Sequence, residues 1–215
     1  MKKKKEEGER PRKGSPTMLI VGINGSPNKE GSTAFLLNKG LEQAARLGAK
    51  TEIIHAAEVL KDLAVPFCTV CSTPCQGTCM AGTSFEDALN LLSEADGMLV
   101  GSPVYFGSIT GQLKAFWDQT RRLRAEKKLL NVAGGAVAVG ASRFGGQELT
   151  IRVIQEMMLV QGMTIVGPGH AGHDCGHFGV AAQRPAQEDK QALERIAVLA
   201  KRIFEVARET RVLRE

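Results

Sequence analysis

From Met18 onward, short β-branched apolar runs alternate with longer stretches in which apolar residues recur every three or four positions. The first pattern predicts strands buried on both faces, the second amphipathic helices. "MLIVGI" (Met18–Ile23) opens the series as a strand, after which Ala34, Leu37, Leu41 and Ala45 repeat at helical spacing. "KTEIIH" predicts a second strand, and a long irregular piece follows from Ala56 to Thr83. "SFEDALNLLSEA" predicts a helix with Ser84 as its N-cap, "GMLVGS" a third strand and "GQLKAFWDQTRRL" a third helix. "GAVAVGA" is then a fourth strand, Gln147 to Gln161 a helix burying Ile151, Ile154 and Met158, and "MTIVG" a fifth strand. A last helix, from about Ala186 to Thr210, buries Leu193, Ile196, Ala200, Ile203 and Ala207.

Strands alternating with helices in this way predict a doubly wound α/β domain, a parallel sheet between two helical layers joined by right-handed crossovers. Ligands of such sheets bind beyond the carboxyl ends of the strands, where the strand order reverses. The loops after strands one, three and four are therefore the place to look for function.

The chain's 215 residues suffice for one such domain. No apolar run reaches the length of a bilayer span and no signal-peptide core is evident, so a cytoplasmic protein that contacts no membrane is expected. The formal net charge of +5 suggests nucleic-acid binding until the charge is located. The opening "MKKKKEEGERPRKGSP" holds seven basic residues and three acidic ones, leaving the rest nearly neutral. No nucleic-acid partner is implied. Residues 1–16 are expected to form a disordered basic tail, and residues 17–215 a folded domain with a Cys-rich insertion at about 56–83.

The loop after strand one reads "GINGSPNKEGSTAFLL". Backbone amides at a helix start favour an anion, and Gly25 and Gly31 let the backbone approach it. Ser26, Asn28, Ser32 and Thr33 add short neutral donors. A nucleoside-triphosphate loop needs lysine after its second glycine, but Ser32 follows Gly31, and the dinucleotide spacing of glycines is also missing. A terminal monophosphate remains. The loop after strand three holds Tyr105, the only tyrosine, beside Phe106, between Pro103 and Gly107. A planar ligand could stack there. The loop after strand four, "GASRFGGQE", adds the permissive Gly145 and Gly146 and the polar Arg143, Gln147 and Glu148.

"NGSPNKEGST", "SPVYFGSITGQLKAFWDQT" and "GGQE", in that order, resemble the NADPH-dependent FMN reductase branch of the flavodoxin-like superfamily. The resemblance implies a flavodoxin-like three-layer α/β/α sandwich whose five-stranded parallel sheet has order 2-1-3-4-5, binding FMN without a covalent link. It assigns the phosphate to Ser26, Asn28, Gly31, Ser32 and Thr33. It assigns the isoalloxazine to Pro103, Val104, Tyr105, Phe106, Gly107 and Ser108, and to Ala141, Ser142, Arg143, Gly145 and Gly146. The flavin would carry the electrons, so no acid or base is named. NAD(P)H is the expected co-substrate, with a small-molecule acceptor. The alternative is an electron-carrier module serving a partner protein such as ferredoxin. A homodimer or homotetramer is implied, with Trp117, Met157 and Met158 as candidate contacts.

Cys68, Cys71, Cys75 and Cys79 lie within "CTVCSTPCQGTC". A disulfide framework does not suit a cytosolic chain of this size, which favours metal or redox chemistry. Three readings stay open: a cubane iron–sulfur cluster with one thiolate per iron, a zinc site, or thiols without metal. The run is similar to the compact motif of the iron–sulfur flavoproteins, which implies a [4Fe–4S] cluster, although its spacings differ from theirs. His170, His173, Asp174, Cys175 and His177 gather after strand five, where a loop closing over the cofactor or a subunit contact is expected rather than a metal site. The basic run "RRLRAEKK" is expected to be a solvated face.

Overall fold

A computed structural model of the chain describes residues 17–214, and the disordered tail expected over 1–16 lies outside them. The strands β1 (Leu19–Asn24), β2 (Lys50–His55), β3 (Gly97–Pro103), β4 (Ala133–Gly140) and β5 (Thr164–Ile165) form a parallel sheet of order β2-β1-β3-β4-β5. The helices are α1 (Ser32–Arg46), the short α2 (Ala56–Val59), α3 (Ser84–Ser93), α4 (Gly111–Asp118), α5 (Arg121–Ala125), α6 (Gln147–Val160) and α7 (Lys190–Glu209). None of them is long and apolar enough to cross a membrane.

Alternate residues of each strand feed two separate cores. Ile20, Leu99, Val137 and Val139 face α1 and α7, meeting Leu36, Leu37, Ile196 and Ile203. Val21, Ile23, Met98, Val100 and Ala136 face the other way, against Phe85 and Leu89 of α3, Leu113 and Phe116 of α4, and Ile151 and Ile154 of α6. Each of these side chains larger than alanine stabilises the fold by about 1.5–3 kcal/mol when removed from water. The central strands β3 and β4 are almost wholly buried, while β2 at the edge is half exposed, so the three-layer order follows from hydrophobicity.

Four boundaries differ from the sequence reading, each for a local reason. The predicted third helix breaks in two, because Thr120 turns out of helical geometry (ψ 12°) and its Oγ1 donates to the Trp117 carbonyl at 2.7 Å. Thr83, not Ser84, caps α3 by accepting from Glu86 N, and Ser84 instead donates to Asp62. The last helix starts at Lys190 because Asp189 caps it, accepting from Ala192 N at 3.0 Å. The fifth strand position is shared: β5 pairs only with Ala133 and Gly134, and a sixth strand, β6 (Val180–Gln183), pairs with Val137–Gly140. Pro168 and a run of glycines interrupt the edge between them, since proline cannot donate to a ladder.

Candidate functional site

At the carboxyl end of β1 the chain folds around the buried side chain of Asn24. Its Oδ1 accepts from Ser26 N at 3.1 Å, and its Nδ2 donates to the Asn28 carbonyl at 3.3 Å and to His55 Nδ1 at 3.0 Å. Ser26 Oγ accepts from Asn28 N, and Asn28 Oδ1 accepts from Glu30 N. These local bonds shape a tight loop that delivers the chain into α1. The N-cap of α1 is Gly31, which offers no side chain, and no acidic residue occupies the first turn. A helix of 15 residues thus starts with neither a capping oxygen nor a compensating negative charge. Ser26 and Thr33 are buried there, and Ser32 Oγ accepts from Ala186 N at 3.2 Å. Amide donors, two hydroxyls and a positive dipole end fit a terminal phosphate. The one lysine of the loop, Lys29, is held by Glu58 at 3.0 Å.

The other loops are tied to this one. Gly25 N donates to the Gly101 carbonyl at 2.8 Å, and the buried Thr110 donates through Oγ1 to the Gly25 carbonyl at 2.6 Å while accepting from Leu113 N to cap α4. Sequence reasoning missed Thr110, although a threonine one residue before a helical run is an N-cap signal. It also missed Asn24 and His55, for which no local signal exists.

Tyr105 and Ser108 close a tight turn by exchanging both backbone hydrogen bonds, at 2.9 and 3.0 Å, with Phe106 and Gly107 in the left-handed region. Tyr105 is 47% exposed and Phe106 fully so, which excludes a core-packed pair and leaves both aromatics at the surface. Gly146 (φ +92°) brings the 141–146 loop against this turn. A Cβ there would lie 3.3 Å from Gly107 Cα and 3.4 Å from Val104 Cγ1. Gln147 holds the loop from below, accepting from Gly145 N at 2.8 Å and donating to the Ser142 carbonyl at 2.6 Å. It is therefore committed to the loop and is not presented to a ligand. Arg143 lies over the exposed Phe144 ring at 5.5 Å, beside a cleft of about 800 Å³ that Gln183 and Arg184 line on the β6 side.

The Asn24–His55 bond has a consequence for pH. Burial pushes His55 below its ordinary value, Lys29 adds to that push and Glu58 opposes it. A lowered folded value means that the fold prefers the neutral ring, which alone can accept at Nδ1. The contribution is fully present above the unfolded value of about 6.5 and is lost as pH falls through the lowered folded value. Melting temperatures measured across this interval should decline less steeply for His55→Gln than for the wild-type chain, and parallel profiles would exclude the effect.

The four clustered cysteines lie together on the α3–α5 side. Burial raises the Cys79 thiol, and the nearby thiols of Cys71, Cys75 and Cys68 raise it further. All five cysteines are unpaired thiols, and among the described residues no three His, Cys, Asp or Glu side chains converge to hold a single metal ion. The basic run is not uniformly solvated. Arg124, Lys127 and Lys128 are exposed, but Arg121 Nη1 lies 3.8 Å from Cys68 Sγ and Arg122 sits beneath Gly77.

Two further expectations need correction. The His170–His177 loop is expected to close over the cofactor or to form a subunit contact; the first does not fit, because β5 pairs only with the first two residues of β4, away from the carboxyl ends of the strands. The loop instead docks on α7, where Arg195 clamps Asp174 and holds its carboxyl well below the usual carboxylate range. Trp117, Met157 and Met158 are buried in the chain's own core, with Trp117 Nε1 donating to the Met157 carbonyl at 3.2 Å, and are not surface contacts.

Residues 18–177 match the model of the family described as NADPH-dependent FMN reductase. An iron–sulfur flavoprotein of Methanocaldococcus jannaschii is 38% identical over 192 residues, covering 89% of this chain and 98% of that protein. One from Methanosarcina thermophila is 34% identical, covering 88% and 95%. A WrbA-like flavodoxin from Agrobacterium tumefaciens superposes with a TM-score of 0.64 at 20% identity, covering 90% of this chain and 99% of that one, which shows the shared fold.

Proposed function

Because the chain belongs to the NADPH-dependent FMN reductase family, we propose that it is an FMN-dependent oxidoreductase that takes electrons from NAD(P)H and carries a [4Fe–4S] cluster on Cys68, Cys71, Cys75 and Cys79. The carrying observation is the start of α1, a long helix with no side-chain cap and no acidic residue, opening into hydroxyls and amides. FMN, when bound, supplies both hydride acceptance and one-electron transfer. The chain's own residues bind and orient it. Ser26, Asn28, Gly31, Ser32 and Thr33 hold the phosphate, and the 103–108 and 141–146 loops, locked together at Gly146, border the ring. The cluster reading is supported by the donor set, four cysteines within one short loop, and by the iron–sulfur flavoproteins that are similar over nearly the whole chain. Cytoplasmic location and a homodimer or homotetramer belong to the same reading.

A second reading has an observation of its own. Phe67 and Val70, beside Cys68 and Cys71, are 60% and 58% exposed, as suits a surface that meets an electron-carrier protein such as ferredoxin. Protein purified without oxygen separates the two. The enzyme reading expects a flavin spectrum bleached promptly by NADH or NADPH, with about four iron and four sulfide per chain. Reduction by ferredoxin alone favours the carrier. Colourless protein that stays colourless after incubation with excess FMN and desalting overturns both.

A further inference from the structure

The arginines that open α5 have no part in flavin binding, yet both meet the cysteine loop, whose other charged neighbour is Glu86, accepting from Gly82 N at 2.9 Å. The segment 64–83 carries no charged residue of its own. Arg122 is committed elsewhere: its side chain lies under Gly77, 3.5 Å from Glu86 Oε1 and 3.0 Å from Asn90 Oδ1. Arg121 differs. Among the described residues it pairs with no carboxylate, and its half-buried guanidinium donates to Cys68 Sγ across 3.8 Å.

We propose that Arg121 is a positioning residue of the cysteine site, which sets the reduction potential of an iron–sulfur cluster held there through its hydrogen bond to Cys68 Sγ and its fixed charge. The inference rests on the cluster reading given above. A thiolate sulfur bonded to iron still accepts hydrogen bonds, and such bonds, net charge and solvent exposure are what tune these clusters. Reduction adds one negative charge to the cluster. A cation a few ångströms away stabilises that form more than the oxidised one, so it raises the potential. Arginine suits the task because it stays charged at any working pH and its planar fork fixes the donor direction.

The test uses the full chain prepared anaerobically as wild type, Arg121→Gln, Arg121→Lys and Arg124→Gln. Iron and sulfide are counted, and cluster reduction by dithionite is followed by electron paramagnetic resonance at controlled solution potential. At the wild-type midpoint, Arg121→Gln should lower the reduced-to-oxidised ratio of the cluster ~tenfold, a negative shift of ~59 mV for one electron, without moving the flavin. Arg121→Lys, which keeps the charge and loses the fork, should recover part of the shift. Arg124→Gln, exposed on the same helix, should show none. If Arg121→Gln loses its cluster, Arg121→Lys decides alone: an intermediate shift supports the proposal and a wild-type midpoint overturns it. A fully loaded Arg121→Gln with an unchanged midpoint overturns this inference only. A wild-type chain without iron or sulfide overturns the cluster reading and this inference with it.

Discussion

Ser32→Glu should abolish FMN retention while leaving the chain folded. Ser32 is the first residue of α1, whose N-cap provides no side chain and whose first turn has no acid. A carboxylate there is favourable for the free protein, worth about 0.3–1 kcal/mol against the helix dipole. The same carboxylate would occupy the place assigned to the phosphate. It removes one charge-assisted hydrogen bond, about 1.5–3 kcal/mol. It also sets like charges near contact, roughly 4 kcal/mol at the effective dielectric of a protein surface. Together these weaken FMN binding roughly a thousandfold or more, at 1.4 kcal/mol per tenfold. Ser32→Ala should lose only the hydroxyl, about tenfold to a hundredfold in affinity, with a small stability loss because Ala186 N loses its acceptor. Fluorescence quenching of FMN on titration with each variant gives the affinities, and thermal melting gives the stability. A folded Ser32→Glu chain with wild-type affinity would place the phosphate elsewhere.

How much of this was legible beforehand depended on whether the cause was local. The strands and the loop at the head of α1 were readable because their signals sit in consecutive residues: short apolar runs for β1, β3 and β4, and a glycine–serine–asparagine turn before an apolar period; the order of the strands came only from the family resemblance. The split edge was not, since "MTIVG" has strand character throughout and only the pairing partner shows that it ends at Ile165. The cap of α3 was misplaced by one residue because two capping residues, Thr83 and Ser84, stand side by side, and the start of α7 was misplaced because the apolar period runs on ahead of its Asp189 cap. The contacts that assemble the site were the least visible. Thr110 reaches Gly25 across 85 positions, Asn24 reaches His55 across 31, and Arg121 reaches Cys68 across 53. A basic run read on its own predicts a solvated face, and only the folded chain shows that its first two arginines turn toward the cysteine loop.

The same distinction underlies the large effect on stability expected at Gly25. The sequence reading valued this glycine for letting the backbone approach a ligand, but the structure shows a tighter constraint within the protein. Gly25 is not in the left-handed region, so its backbone conformation does not by itself call for glycine. Space is what it lacks. A Cβ at Gly25 would stand 2.8 Å from the Gly101 carbonyl oxygen and 2.8 Å from Leu113 Cβ. Neither can step aside cheaply, because the carbonyl accepts from Gly25 N and Leu113 is fixed by the Thr110 cap of α4. Gly25→Ala must therefore part the β1 and β3 loops and loosen the bond from Thr110 to the Gly25 carbonyl. Overpacking of this kind costs about 3 kcal/mol, equivalent to a fall in melting temperature of about 6–12 °C for a chain this size. Gly22→Ala provides the comparison. Its Cβ would meet Leu41 Cδ1 at 3.1 Å, the end of a side chain that can rotate, so a loss of about 1 kcal/mol or less is expected. FMN affinity should follow the same order, falling for Gly25→Ala and holding for Gly22→Ala, because only the first displaces the loop that carries Ser26 and Asn28. Equal melting temperatures for the two variants would mean that the β1–β3 junction yields more easily than its geometry implies, and that the loops are not held as one rigid cradle.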